Sequence, residues 1–471
     1  MISYEKYKTS SCDWIDSIPS HWDTHRIKML FSLRDERNYK PLNEVNLISL
    51  YTSLGVRQHK DIEHTTGNKA RNADGYKIVY PDDIVVNILL CWMGAIGRSD
   101  YYGVTSPAYD IYKPKTNLVS TKYYNYLMRT PMFAQQCYRA GKGIMSMRWR
   151  TYSPQFSNIV VPVPSRDEQD QIVRFLDWKV SGINKLIATQ RKEIDLLNEI
   201  KSNIIDRVAT RGVVASDVVH NDDVRWDIDY PKHWQIQRIR ESFSFRKGLS
   251  ITKANLEESG IAVINYGQVH SKRNSGVGLN TDLIRFVNES YLSSNPSSLV
   301  EKGDFIFADT SEDVAGCGNC VYVDWDGTIF AGYHSIIAHP NGTSNNKYLA
   351  YLFKSPTWRY QIRKKSNGVK VYSITQKMLK DAFILLPPID EQKAIVAYLD
   401  DICQRIDASI DKANGKIKNL QELRTRIIGD AVTGAIDVRG IEIPNYEYVD
   451  EDMTDTDEEA ENEELTEEQE E

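Results

Sequence analysis

Two loops carry side chains suited to gripping a polyanion. Gly141-Lys-Gly-Ile-Met-Ser-Met-Arg-Trp-Arg-Thr-Tyr-Ser153 joins basic residues to glycine hinges, ahead of an apolar run at 159–163. Lys364-Lys-Ser-Asn-Gly-Val-Lys-Val-Tyr372 does the same ahead of residues 383–386. Lysine and arginine neutralise phosphate, and arginine and amide side chains also pair with base edges. On this ground Arg98, Lys142, Met147 and Arg148 are candidate contacts in the first half. In the second half the candidates are Arg246, Lys247, Asn265, Tyr266, Lys272 and Lys370, drawn from basic edges and from the strand-like stretch 261–270. Each of them has an ordinary alternative as a solvated side chain.

Other motifs fall short of the chemistry they suggest. Gly94-Ala-Ile-Gly97-Arg98 follows a strand-like run but has no Gly-Lys-Ser/Thr ending, so a tight turn presenting Arg98 is expected rather than a phosphate loop. Ser106-Pro-Ala-Tyr109 lacks the doubled proline and the Asn or Asp of a methyltransferase Asn-Pro-Pro-Tyr box, and is expected to start a strand. Cys317-Gly-Asn-Cys320 is one Cys-x-x-Cys pair, whereas tetrahedral zinc takes four ligands; His334 would complete only part of a site. Pro81-Asp82 is not followed by a persuasive Glu-x-Lys. No catalytic set and no metal site is therefore assigned.

Composition sets the frame. A chain of 471 residues, 41% hydrophobic and 10% aromatic, has the material for two to four domains with real cores. No stretch approaches the ~20 apolar residues of a membrane span. Six cysteines in this length suggest reduced thiols and a cytoplasmic protein. Residues 447–471 hold fifteen Asp or Glu and no Lys or Arg, so the net charge of −7 divides into −15 there and +8 on residues 1–446. The body is basic, as a polyanion-binding protein would be. The acidic segment, with residues 439–471 as a whole, is expected to be a disordered, solubilising tail.

The elements that must position these loops come from an internal repeat. Pro164-Ser-Arg-Asp-Glu-Gln169 returns as Pro387-Pro-Ile-Asp-Glu-Gln392, and Asp177 and Asp400 keep the offset of 223 set by Glu168 and Glu391. Upstream, Pro19, His21, Trp22, Arg26 and Ile27 match Pro231, His233, Trp234, Arg238 and Ile239 at an offset of 212. The Pro-x-His-Trp pair is expected to be a turn with an aromatic anchor. After each Glu-Gln, apolar residues recur at helical spacing: Ile172, Leu176, Ile183, Ile187, Ile194, Leu197, Ile204 and Val208, then Ile395, Leu399, Ile402, Ile406, Ile410, Ile417, Leu420 and Ile427. Steps of three, four and seven keep one stripe on one face, which predicts two long helices whose natural partners are each other.

Taken together these residues resemble the specificity subunit of a prokaryotic type I restriction–modification system. The markers are Ile18-Pro-Ser-His-Trp22 with Tyr230-Pro-Lys-His-Trp234, Asp167-Glu-Gln169 with Asp390-Glu-Gln392, Val263-Ile-Asn-Tyr-Gly267 and Leu385-Leu-Pro-Pro-Ile389. The resemblance spans residues 14–438; the first half lacks a clear Ile-Asn-Tyr-Gly counterpart, and the acidic tail lies outside the pattern. It implies an α+β protein with a pseudo-twofold repeat: two target-recognition domains of mixed sheet and helix, separated and joined by two long antiparallel coiled-coil helices. The expected divisions are 1–163 and 214–386 for the recognition domains, 164–213 and 387–438 for the helices, and 439–471 for the tail. It further implies a non-catalytic subunit that binds a bipartite double-stranded DNA target and docks two methyltransferase subunits. S-adenosylmethionine would sit on those partners, and restriction subunits would join the core. A methyltransferase or nuclease with its own active site, and a coiled-coil interaction protein, are the alternatives.

Overall fold

The computed structural model describes residues 3–52, 54–61, 72–143, 149–223, 226–366, 368 and 371–450. It divides into two compact units, residues 1–192 with 414–471, and residues 193–413. This differs from the expected cuts at the helix ends, because each long helix is shared between the units.

In the first unit β1 (Phe31–Arg34), β2 (Ile84–Asn87), β3 (Ile96–Arg98) and β4 (Tyr109–Pro114) form an antiparallel sheet in the order β1-β4-β2-β3. Every residue of β2 is buried, which is why Ile84, Val85 and Val86 run on without alternation; the buried Asn87 at its end accepts from the Leu89 amide at 2.9 Å. Tyr109 opens β4, so Ser106–Tyr109 is the start of a strand, as expected. Helices α1 (Thr121–Met128) and α2 (Pro131–Ala140) follow. Thr130 Oγ1 accepts from the Phe133 amide at 3.2 Å, and Pro131 fills the first turn, where no amide is needed. The long helix α3 runs Arg166–Arg211.

The second unit repeats this plan. Strands β5 (Phe243–Lys247), β6 (Phe305–Ala308), β7 (Cys320–Tyr322) and β8 (Ser335–Pro340) form an antiparallel sheet in the order β5-β8-β6-β7. Helices α4 (Asn346–Lys354) and α5 (Pro356–Arg363) follow, with Ser355 and Pro356 in the roles of Thr130 and Pro131. Helix α6 runs Ile389–Val432. A second sheet of five strands is made from Leu256–Glu257, Ile261–Ile264, Arg285–Val287, Leu299–Val300 and Ile329–Ala331, where the first unit has two two-stranded pairs, Ile48–Tyr51 with Gly55–Gln58 and Lys77–Val79 with Gly103–Thr105. Most of it lies between β5 and β6, where the repeat offset rises from 212 (Phe31, Phe243) to 221 (Ile84, Phe305). The stretch 261–270 is not one strand: it ends at Ile264, and a single helical turn, Tyr266–His270, replaces the rest.

The repeated motifs meet. His21 Nε2 lies 3.0 Å from Glu168 Oε2, and His233 Nε2 lies 2.8 Å from Glu391 Oε2. Gln169 accepts from the Ser120 amide at 2.8 Å and donates to the Pro164 carbonyl at 2.9 Å. Gln392 accepts from Asn345 and donates to Pro387, both at 2.8 Å. Each Gln is buried and ties the start of its long helix to the loop before α1 or α4. The far ends are glycine stops. Gly212 (φ +79°) and Gly434 (φ +78°) take the left-handed conformation that ends a helix at low cost. A Cβ on Gly212 would stand 3.3 Å from the Trp234 ring, and one on Gly434 would collide with Pro19 and reach Trp22 at 3.0 Å. The second helix therefore ends at Val432 rather than at the expected 438.

In the first unit Ile172, Leu176, Ile183 and Ile187 of α3 share a core with Ile427, Ala431 and Val432 of α6. In the second, Ile205, Val208 and Ala209 of α3 share a core with Ile395, Leu399 and Cys403 of α6. Ile194, Leu197, Ile204, Ile417 and Leu420 are only half-buried.

Candidate nucleic-acid interface

The two basic loops return to the same place in their sheets. The Thr151 amide donates to the Ile88 carbonyl at 3.0 Å, and the Ile374 amide to Asp309 at 2.7 Å. Ile88 directly follows β2 and Asp309 directly follows β6, so both loops stand at the end of a matched central strand. In the first unit Lys142 and Arg150 exchange backbone hydrogen bonds of 2.9 and 3.0 Å, which closes the loop at its base. Trp149 stacks on Tyr138 with ring centroids 4.8 Å apart and donates to the Tyr138 carbonyl. Lys142 is exposed beside this aromatic pair. In the second unit Thr310–Ser311 pairs with Tyr372–Ser373 and closes the other loop. Met147, Arg148 and Lys370 lie outside the described residues.

The second loop base adjoins a polar aromatic group. The Tyr266 ring centroid is 5.5 Å from His334, 5.6 Å from Tyr333 and 6.2 Å from His270. His334 Nδ1 lies 3.1 Å from Asp309 Oδ1 and 3.3 Å from Thr310 Oγ1, and 58% of its side chain is exposed. Its φ of +53° is a strained conformation for histidine. The structure thus brings Tyr266 beside the 364–372 loop, and adds His334, Asp309 and Thr310, which sequence reasoning missed. A left-handed histidine leaves no mark in the sequence. Lys247 at the end of β5 and Lys272 beyond the helical turn are exposed.

Three candidates are paired within their own unit. Arg246 pairs with the buried Asp304 at 3.0 Å, and Asp304 also accepts from the Glu301 amide at 2.9 Å. The first unit repeats this: Arg34 pairs with the buried Asp83 at 2.9 Å, and Asp83 accepts from the Tyr80 amide at 2.9 Å. Burial pushes the Asp83 carboxyl up, against the Tyr80 amide and the Arg34 guanidinium, which pull it down. Arg34 precedes Arg246 by the repeat offset of 212, a signal present in the sequence. Arg98 is not presented by its turn; its guanidinium pairs with Asp82 at 2.8 Å and with Asp100. Asn265 is buried, and its Oδ1 accepts from the Tyr333 amide at 3.2 Å.

The two glycine and cysteine motifs are one turn seen twice. Gly94 (φ +96°) leads into β3 and Gly318 (φ +88°) into β7. Cys317 and Cys320 are buried there, and burial pushes the Cys320 thiol up to about 12. Among the described residues no three His, Cys, Asp or Glu side chains are placed to hold a metal ion. No helix among them is long and apolar enough to cross a membrane.

Comparison with known proteins then gives the class. Residues 231–419 match the family described as the type I restriction modification DNA specificity domain. This bears out the resemblance read in the sequence. The chain is similar to the type I restriction enzyme MjaVIII specificity subunit of Methanocaldococcus jannaschii, 24% identical over 354 residues that cover 72% of this chain and 79% of the relative. It is also similar to the type I restriction enzyme EcoKI specificity subunit of Escherichia coli (strain K12), 23% identical over 295 residues that cover 60% and 58%. Its fold is shared with a chain solved in work on complex assembly and conformational transition of the type I R-M system, with a TM-score of 0.62 and 15% identity, covering 89% of this chain and 99% of that one.

Proposed function

We propose that this chain is the DNA sequence-recognition subunit of a type I restriction–modification complex. The observation that carries the reading is the duplicated loop edge: two basic loops, each tethered to the residue after a matched central strand. Each unit reads one half of a bipartite target. Lys142, Met147 and Arg148 serve the first half-site, and Lys247, Tyr266, Lys272, Lys370 and His334 the second. Phosphate contacts set register and base-edge contacts specify sequence.

The two long helices act as an antiparallel coiled-coil spacer and dock two methyltransferase subunits on their outer faces, with restriction subunits joining that core. The chain itself catalyses nothing; S-adenosylmethionine and the methyl-transfer chemistry belong to the partners, in the cytoplasm. A helix of 46 residues at ~1.5 Å each is long enough to span half-sites about one turn of B-DNA apart, roughly 34 Å. Inserting about four residues in each helix lengthens the spacer by ~6 Å, so the unread gap should grow by one or two base pairs. Unchanged affinity for the original spacing would sink the ruler.

The deciding experiment is methylation mapping in cells that hold a cognate methyltransferase, with and without this chain. A bipartite motif that depends on it is expected, and replacing residues 32–160 should alter one half of that motif only. Methylation that is indifferent to the chain, or adenosylmethionine binding by the isolated protein, would favour the enzyme reading.

A further inference from the structure

Residues 439–450, expected to begin a disordered tail, run instead along α3 in the first unit. Gln171 Nε2 donates to the carbonyls of Val438 (3.0 Å) and Ile441 (2.8 Å). Ile441 and Ile443 pack on the core of that unit. Beyond them, residues 446–450 are held as an extended peptide. Ser181 Oγ donates to the Glu447 carbonyl at 2.9 Å and accepts from the Val449 amide at 2.7 Å. Asn184 Nδ2 donates to the Val449 carbonyl at 3.2 Å. Ser181 and Asn184 are buried polar side chains on a helix face, and the peptide backbone supplies their partners.

The side chains are read as well. Lys185 pairs with Glu447 at 3.3 Å, and Arg57 Nη2 with Asp450 at 2.7 Å. Tyr448, 63% exposed, and Asp450 form part of the wall of an open cleft of about 660 Å³ that Arg57, Lys122, Asn184 and Arg424 also line. Main-chain hydrogen bonds to an extended segment, with selective seats for its side chains, are a common way to recognise a peptide.

We propose that the α3 face bearing Ser181, Asn184 and Lys185, with Arg57 beside it, is a binding site for an acidic peptide, and that the chain occupies it in cis with Glu447-Tyr-Val-Asp450. The occupant is argued from the contacts above and from charge. The acidic run continues past Asp450 with thirteen more Asp or Glu up to residue 471. The second unit shows why it has no such site. At the repeat offset of 223, Asn184 becomes Asp407 and Arg424 becomes Lys201. Lys201 and Asp407 form a 2.6 Å ion pair, whereas Arg424 reaches Asn184 Oδ1 at 3.1 Å and leaves the amide nitrogen to donate. A carboxylate at that position accepts only and cannot hold a peptide carbonyl. The inference stands apart from DNA reading and is tested without DNA.

The test uses a fluorescein-labelled peptide of residues 444–471, followed by anisotropy. A chain ending at Ile443, which keeps Val438, Ile441 and Ile443, should bind it. The full chain should bind at least tenfold more weakly, because its own residues 447–450 already occupy Ser181 and Asn184. Asn184→Asp in the shortened chain should weaken binding at least tenfold, and so should a scrambled peptide of the same composition. No binding by the shortened chain, equal binding by the full chain, or indifference to Asn184→Asp or to scrambling would each overturn the proposal. Should the shortened chain fail to fold by circular dichroism, hydrogen exchange at the Val449 amide of the full chain decides. Protection that Asn184→Asp reduces at least tenfold supports the site, and an unprotected amide, or protection that Asn184→Asp leaves intact, overturns it.

Discussion

The two units are built on one plan and differ where the plan is used. Both close their sheet with a buried Arg–Asp pair, both staple a long helix with a buried Gln, and both hang a basic loop from the end of the central strand. They part at their surfaces. The first unit sets Tyr138 and Trp149 beside its loop, while the second sets Tyr266, His334 and Asp309 there and joins into one five-stranded sheet what the first keeps as two strand pairs. Parts that repeat carry the fold; parts that diverge are where two half-sites can be told apart.

The comparison can be broken most strongly at the buried pairs. Asp83→Ala leaves Arg34 with the exposed Glu36 alone and the Tyr80 amide without its acceptor, and Asp304→Ala removes the partner of both Arg246 and His339, whose Nδ1 lies 2.6 Å from Asp304. Removing one partner of a buried ion pair costs about 3–5 kcal/mol. Calorimetry should show each substitution lowering the melting of its own unit. A loss near zero at Asp304 would return Arg246 to the list of DNA contacts.

The Gln staples come next. Gln169→Ala and Gln392→Ala each leave a buried amide N–H and a carbonyl without their partner, at about 1–3 kcal/mol apiece. Because the sites share no partner, urea unfolding of the double variant should show the two losses adding.

The loop residues sharpen the difference in use. Arg148→Ala or Tyr266→Ala should cost about 1–3 kcal/mol of discrimination at one position of one half-site, read from binding to randomised targets. Lys142→Ala should weaken all sequences alike and reduce the salt dependence by about one phosphate contact. If Lys142→Ala relaxed a single base, the division into phosphate and base contacts would need reversing.

The smallest effect belongs to His334. His334→Gly relieves its left-handed backbone but loses the contacts to Asp309 and Thr310, so stability should change by no more than about 1 kcal/mol. Binding to the second half-site should fall while binding to the first is unchanged. A parallel loss at both would mean that His334 supports the fold of its unit and reads nothing.

The sequence by itself determined the repeat, both helix starts, the central strand of the first unit and the two loops. These rest on local signals: periodicity, Pro and acid at helix starts, and apolar runs of strand length. It also held the clue to Arg246, because Arg34 stands at the same offset with its own acidic partner. Tertiary structure alone decided the rest. Arg98, Arg246 and Asn265 read as contacts because a basic or amide side chain looks the same in a sequence whether it faces a carboxylate or solvent. The ends of the helices depend on which glycine meets which tryptophan. Residues 439–450 read as tail because their composition is polar and acidic, yet Ser181 and Asn184 supply the partners for their backbone. Burial and pairing are properties of distant residues brought together, and no local spacing encodes them.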